Sequence, residues 1–275
     1  MQIGQLNTLT VTKKVDFGVY LDGGTYGEIL LPKKWVPKDT EAQDKIEVFI
    51  YFDSEDRLIA TTMKPYASLH TFAPLKVVEV NQVGAFLDWG LEKDLLVPRA
   101  EQHRSMEPNK RYLVYIKQDH EGRLVGSSKI DRYLDKTEPQ FKPGEEVDLL
   151  IAQTTELGTK VIINHTHWGL VYAQDIFKSL AYGEKIRGYI KMIRPDGKID
   201  VVLRKVGGDG VRELAEDILS ELNNNGGFLA LNDKSSPEAI KQAFGESKKS
   251  FKNALGYLYK QKRITFTEKG IKLSL

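Results

Sequence analysis

Along the first three quarters of the chain, apolar and polar residues alternate with a period of two in short runs. Examples are "LTVTKKV" from Leu9, "KIEVFIYF" from Lys45, "RYLVYIK" from Arg111 and "KIRGYIKMI" from Lys185. Turn signals such as "DGG", "DSED", "DHEG" and "PDG" separate them. Period-two runs of this length, punctuated this way, predict the strands of small sandwiches or barrels. Near residue 211 the period changes. In "VRELAEDILSELNNNGG", Leu214, Ile218 and Leu222 form one helical stripe that stops at Asn and Gly. Ser236 and Pro237 then open a short helix, "PEAIKQAF". A third helix, "SKKSFKNALGYLYKQKR", puts Phe251, Ala254, Leu255 and Leu258 on a core face. Its opposite face carries Lys249, Lys252, Asn253, Gly256 and Lys260. A closing hairpin pairs Ile264 and Phe266 with Ile271 and Leu273. "KVGGDGV" at 205–211 reads as a flexible linker into this segment.

The strand region repeats itself. "VDFGVYLDGG" from Val15 returns 66 residues later as "NQVGAFLDWG". Without a gap, Gly18 falls on Gly84, Tyr20 on Phe86, Leu21 on Leu87, Asp22 on Asp88, Pro32 on Pro98 and Lys33 on Arg99. Further on, Asp53, Glu55, Arg57 and Leu58 fall on Asp119, Glu121, Arg123 and Leu124. A worn third copy runs from Glu145 to Arg204, with "ELGTKVIIN" in the place of the opening motif. A unit of this size with five strands suits a closed barrel of the OB type, in which closure removes sheet edges. Three helices and a hairpin describe a winged helix. The expected fold is therefore mainly β with a C-terminal α+β domain. Three tandem OB-fold barrels at 1–66, 67–130 and 145–206 precede a winged helix at 211–275. The stretch 129–146, with two prolines and mixed charge, reads as a semi-rigid connection that begins in a short helix.

Length and composition bound the function. A chain of 275 residues, 41% hydrophobic, can bury several small cores. It has no cysteine, which excludes disulfides, cysteine zinc sites and thiol nucleophiles. No apolar run is long enough to span a membrane, and the N-terminal residues lack a signal-peptide pattern, so a cytoplasmic protein with no membrane partner is expected. Net charge is only +2, but residues 241–272 hold nine basic residues against Glu246 and Glu268. That concentration marks the C-terminal segment as the place for a polyanion.

At "DFGVYL" with "GEILLP", "QVGAFL" with "KDLLVP" and "ELGTKVI" with "WGLVYA", the chain resembles the S1 family of RNA-binding OB domains. Taken with the C-terminal segment, the order of parts is similar to that of the conserved virulence factor B, or YitL-like, family. The resemblance implies a non-enzymatic RNA-binding protein without cofactors, acting in post-transcriptional or virulence-linked gene regulation in bacteria. It also implies a base-stacking face at two Phe positions and one His position of each barrel. The first barrel supplies Phe17 and Tyr20 there, with Pro32 in the His position. The second supplies Val83 and Phe86, with Pro98 in the His position and Trp89 close by. The third has Leu157 and Lys160 and keeps only Tyr172.

Physical chemistry ranks these faces in the same order. Single strands are held by aromatic rings that stack on bases while Lys and Arg follow the phosphates. Lys13, Lys14, Lys33 and Lys34 flank the first face; Arg99 and Arg104 flank the second. Phe86, between Ala85 and Leu87, fits core packing as well as stacking. In the winged helix, Lys249, Lys252, Asn253 and Lys260 on the third helix and Lys269 and Lys272 on the wing are candidate contacts for RNA or DNA. A surface for protein is the alternative there, and a scaffold built from the same modules is the alternative for the whole chain.

Two other constellations carry less. His165 and His167 lie two apart and would share a strand face, but no third metal ligand is near. Asp53 with Glu55, and Asp119 with Glu121, fall in turns, where Asp is expected for turn chemistry rather than for a nuclease metal.

Overall fold

Each alternating run becomes a strand. In the computed structural model, which describes residues 1–176, 179–205 and 207–274, the chain divides into two compact units, 1–134 and 135–275. The boundary expected at residue 206 lies outside the described residues.

The first unit contains two barrels. Strands β1 (Leu6–Val15), β2 (Gly18–Asp22), β3 (Glu28–Pro32), β4 (Lys45–Phe52) and β5 (Leu58–Thr61) close in the order β1-β2-β3-β5-β4. Their inward side chains, among them Val11, Leu21, Leu31, Val48 and Ile50, make one buried core. β6 (Phe72–Val80), β7 (Gly84–Asp88), β8 (Leu95–Pro98), β9 (Arg111–Gln118) and β10 (Leu124–Ser127) repeat the plan as a sheet ordered β10-β9-β6-β7-β8. Its end strands come together through side chains: a Cβ on Gly126 of β10 would lie 2.8 Å from Cγ2 of Val97 on β8. The barrel is thus nearly closed.

The repeated motif now has a cause at each position. A Cβ on Gly18, Gly84 or Gly158 would run into the carbonyl oxygen of Leu31, Val97 or Val171 on the neighbouring strand, so only glycine allows the two backbones to approach this closely. Leu21 and Leu87 point inward and are fully buried. Asp22 and Asp88 each accept the backbone N–H two residues on, at 2.9 Å, and shape the turn that follows. Pro32 and Pro98 end β3 and β8 and lead into single 3-10 turns, Lys33–Trp35 and Arg99–Glu101.

The second unit opens with a third barrel: β11 (Glu146–Thr155), β12 (Gly158–Ile163), β13 (His167–Tyr172), β14 (Lys185–Ile193) and β15 (Ile199–Val202), closed in the order β11-β12-β13-β15-β14. Then follow α1 (Gly208–Asn224), β16 (Phe228–Leu229), α2 (Pro237–Phe244), α3 (Lys248–Lys260), β17 (Ile264–Thr267) and β18 (Gly270–Leu273). The three strands form a small sheet, β16-β18-β17, and Leu214, Ile218, Leu222, Phe251, Leu255 and Leu258 join the helices in one core. Ser236 and Ser247 cap α2 and α3 by accepting backbone N–H bonds from Ala239 and Ser250.

The linker expectation needs correction. Gly208, Asp209 and Gly210 belong to α1, which begins after Gly207 at φ +89°. Asp209 sits in the first turn, where the helix dipole favours an acid, and Gly210 fits where a Cβ would strike the Lys205 carbonyl. The glycines read as flexibility serve a tight entry instead. The short helix expected after residue 129 is a 3-10 turn at Ile130–Arg132.

Candidate nucleic-acid interface

On the first barrel, the tight turn between β1 and β2 pushes Phe17 into solvent, 56% exposed. Tyr20 follows on the outer side of β2, half-exposed, with its ring 6.3 Å from that of Phe17 and nearly perpendicular to it. Lys13 is the register partner of Tyr20 on β1 and holds its Nζ 4.7 Å from the ring centre. The same ammonium donates to Glu28 at 2.6 Å, which keeps the Glu28 carboxyl below its ordinary range. Lys33 is exposed, and its backbone N–H donates to the Phe17 carbonyl at 2.8 Å. Phe17, Tyr20, Lys13 and Lys33 therefore share one surface.

Two residues expected at the stacking faces, Lys34 at the first and Trp89 at the second, are elsewhere. Lys34 turns to the second barrel, where it bonds both oxygens of Glu92, and lies 5.3 Å over Trp35. Trp89 is buried, 3% exposed, because its ring packs edge-on against Phe49 of the first barrel at 5.8 Å and its Nε1 donates to the Lys93 carbonyl. It is a seam residue between two barrels, not a stacking platform. Its position beside the motif put it near the second face; the partner that buries it lies 40 residues away.

The corresponding positions of the other barrels carry different chemistry. Phe86 is half-exposed, but its register partner is Glu79 where the first barrel has Lys13. Burial, then Asp88 and Glu79, push the Asp94 carboxyl up. Phe86 thus stands among carboxylates. Arg99 is exposed but donates to the Asn81 carbonyl at 2.9 Å.

On the third barrel, Tyr172 is half-buried under the Arg194 guanidinium, which is itself bound to Asp200 at 2.7 Å. Leu157 is 67% exposed. The sequence reading missed Trp168, whose ring lies 4.1 Å from Lys160 Nζ. The signal was there: Trp168, Leu170 and Tyr172 alternate along one face of β13. Trp168, Lys160, Leu157 and Leu170 line a groove of about 1390 Å³, flanked by residues 135–139 and the β14–β15 turn. Its charges are balanced, since Arg194 and Lys198 are paired with Asp200 and Asp196.

On the winged helix, Lys249, Lys252, Asn253 and Lys260 of α3 and Lys269 and Lys272 of the wing are all exposed. Among the described residues none of these lysines has an ion-pair partner. Phe266 does not point into the core beside Ile271; although the register pairs them, Phe266 is 41% exposed and stands 5.3 Å from the ring of Tyr259, itself 56% exposed.

The turn carboxylates act locally. Asp53 and Asp119 each accept two backbone N–H bonds and the guanidinium of Arg57 or Arg123. Burial opposes their ionisation, but those bonds outweigh it and hold both carboxyls below their ordinary range. His165 lies in the β12–β13 turn at φ +57° rather than on the strand with His167. Among the described residues no group of three metal-ligating side chains occurs.

The family model described as S1 domain matches residues 3–63 and 71–129, and that described as CvfB-like winged helix domain matches 216–273. The chain belongs to the conserved virulence factor B family. It is 29% identical over 275 residues to YitL of Bacillus subtilis (strain 168), covering 96% of this chain and 91% of the relative. It is 27% identical over 269 residues to conserved virulence factor B of Staphylococcus aureus (strain N315), covering 91% and 90%. A crystal structure from Streptococcus pneumoniae TIGR4, described as a multidomain protein with nucleic acid binding domains, aligns over 98% of both chains at 24% identity with a TM-score of 0.41. The conserved virulence factor B architecture joins S1 and winged-helix domains, modules of the nucleic-acid-binding and typically non-catalytic kind. Among the described residues no helix is long and apolar enough to cross a membrane.

Proposed function

We propose that this chain binds single-stranded RNA through the outer face of its first barrel, with the winged helix as a second contact, and catalyses no reaction. The observation that carries the reading is the exposed Phe17–Tyr20 pair with the Lys13 ammonium over the Tyr20 ring. Rings in this arrangement stack on unpaired bases, and the adjacent cations follow phosphate. The second barrel contributes little, because Glu79, Asp88 and Asp94 repel phosphate around Phe86. Weak modules on one chain raise each other's effective concentration, so modest contacts add up to useful affinity. The likeness to conserved virulence factor B supports a cytoplasmic role in post-transcriptional or virulence-linked gene regulation.

A second reading has its own observation. Burial of Trp89 against Phe49 welds the first two barrels together, as a rigid scaffold for a ribosomal, transcriptional or RNA-processing assembly requires. Fluorescence anisotropy separates the two. The full chain is titrated with single-stranded RNA, single-stranded DNA and duplex DNA at two salt concentrations, beside Phe17→Ala/Tyr20→Ala. Single-strand binding that weakens in the variant supports the RNA reading. No binding to any probe at low salt overturns it in favour of the scaffold.

A further inference from the structure

The outer face of the second barrel has changed its chemistry while keeping its frame. Lys13, Lys14, Lys33 and Lys34 flank the first face, and the 66-residue repeat puts Glu79, Val80, Arg99 and Ala100 in their places. Arg99 is the one cation left, and the Asn81 carbonyl holds its guanidinium at 2.9 Å. In exchange the face has become aliphatic: Thr12 gives way to Val78 and Phe17 to Val83. β6 bulges between Val77 and Glu79, so Val78 and Glu79 together oppose Phe86, and Val78 is 51% exposed. Val83, in the turn into β7, is 60% exposed. Phe86 and Leu96 are register partners on β7 and β8, both half-exposed and both outside the barrel's buried core.

Three carboxylates rim these side chains. Asp88 and Glu79 add their charge to the burial that pushes the Asp94 carboxyl up, so the three act on one surface. Among the described residues none of them has an ion-pair partner, and that includes Lys76, the register partner of Asp88. In the first barrel the acid at the position of Asp94 is Glu28, which Lys13 binds. The second barrel has lost the lysine and kept the acid. Apolar side chains gathered in water inside a rim of charge mark an interaction surface. Phosphate is repelled from this one, and among the described residues no group of three metal-ligating side chains occurs. A simple cation would leave the valines in water, whereas a neutral apolar partner would cover three carboxylates without pairing them, which is costly. A ligand that carries both chemistries side by side satisfies the whole face.

We infer that this face docks a basic segment of a partner protein: Lys or Arg side chains meet Glu79, Asp88 and Asp94, and an adjacent aliphatic or aromatic side chain covers Val78, Val83 and Phe86. Glu79, Phe86 and Leu96 form a row across three strands. At about 4.8 Å per strand the row is roughly 10 Å long, which three extended residues span. A short stretch of chain is therefore enough. Complementary charge gives such a contact its specificity, since an acidic segment would be turned away. Corresponding faces of the two copies thus divide the work, the first suited to a polyanion and the second to a polycation. The inference goes beyond the RNA-binding reading and holds whether or not the first barrel binds RNA.

The test uses the full chain and a phage-displayed heptapeptide library, with single-stranded RNA as the second probe. Peptides selected on wild type are synthesised with fluorescein and titrated against wild type, Glu79→Lys, Val78→Ser/Val83→Ser and Phe17→Ala/Tyr20→Ala. Circular dichroism verifies that each variant is folded, as expected for exposed positions. The selected peptides should carry Lys or Arg beside an aliphatic or aromatic residue. Their affinity should fall roughly tenfold or more in Glu79→Lys and about fivefold or more in the serine variant, losses typical of contacts that matter to an interface. Phe17→Ala/Tyr20→Ala should leave peptide binding unchanged, and neither second-barrel variant should weaken RNA binding. A library that yields no peptide binding in solution overturns the inference, as do peptides whose affinity stays within about twofold in both second-barrel variants. Peptide binding lost in Phe17→Ala/Tyr20→Ala would move the site to the first barrel. RNA binding weakened by Val78→Ser/Val83→Ser would return the second face to the RNA path, and either result sinks the proposal.

Discussion

Lys13 holds its ammonium 4.7 Å from the centre of the Tyr20 ring, its register partner across β1 and β2. The third barrel keeps a cation over a ring but moves both one strand along: its residue at the Tyr20 position is Lys160, and the ring beneath it is Trp168 on β13, at 4.1 Å. In the second barrel the position of Lys13 is Glu79 and that of Glu28 is Asp94, so the pair is gone. One inherited face has thus been kept, emptied and rebuilt in three copies. The chemistry a face offers is set by three outward positions on adjacent strands.

In the first barrel, Lys13 is shared between Tyr20 and Glu28. Replacing Glu28 with Gln removes a carboxylate from the phosphate path and releases the lysine. The expected outcome is single-strand RNA binding tightened about two- to fivefold at low salt, with the gain fading as salt screens it. Anisotropy at two salt concentrations checks it; unchanged or weaker binding at low salt would remove this face from the RNA path.

The same substitution should have opposite signs at two glycines. Gly84→Ala forces a Cβ onto the Val97 carbonyl, which is backbone and cannot step aside, so a loss of about 1–3 kcal/mol is expected. Gly256→Ala adds a methyl into open space in a helix interior and should stabilise by about 0.8–1 kcal/mol. Thermal unfolding monitored by calorimetry distinguishes the two directions.

Much of this molecule was legible in the residues. Period-two runs placed the strands, the 66-residue repeat gave the first two barrels, and Ser236 with Pro237 marked the start of α2 to the residue. What failed has a common cause. Trp89 lies beside the second barrel's motif, but the ring that covers it belongs to another barrel, which no local pattern reveals. Lys34 was misjudged because its partner, Glu92, is 58 residues distant. The hairpin pairing of Phe266 with Ile271 was legible, but the exposure of Phe266 beside Tyr259 was not. Gly208–Gly210 looked like a linker because glycine signals flexibility and close packing alike, and only the position of the Lys205 carbonyl decides between them.

Acid should weaken the first unit through its turns. The carboxyls of Asp53 and Asp119 sit below their ordinary range when folded, so each contributes stability that is complete above the unfolded value near 4 and is lost as pH falls through the folded value. Asp119→Asn should lower stability at neutral pH and flatten the decline below about pH 4. Parallel wild-type and variant profiles there would show that this carboxylate is not the titrating group.

Arg204 bonds Asp217 of α1 and Glu246, just before α3, each at 2.7 Å, and so ties the end of β15 to the winged helix. Glu246 is buried, and that burial pushes its carboxyl up while Arg204 pulls it down. Arg204→Met removes the compensating charge, at an expected cost of about 1–3 kcal/mol at neutral pH. A carboxyl raised still further in the folded state gains from protonation, so the variant's deficit should shrink as pH falls. Arg204→Met/Glu246→Gln should recover part of the loss, since a neutral amide is left in place of a stranded charge. Unfolding of the four proteins of this cycle, completed by Glu246→Gln, measures the coupling, and additive losses would show that the two side chains do not depend on each other.

The lysines of the winged helix make a quantitative claim about salt. For single strands each phosphate contact contributes about 0.7 to the slope of log K against log salt. Lys249→Ala/Lys252→Ala should therefore reduce the slope of RNA binding by about 1.4. Exposure without an ion-pair partner makes these lysines good reporters, because no internal bond is lost with them. A slope that does not move in the lysine variant would mean that the phosphates run elsewhere, even if the affinity falls.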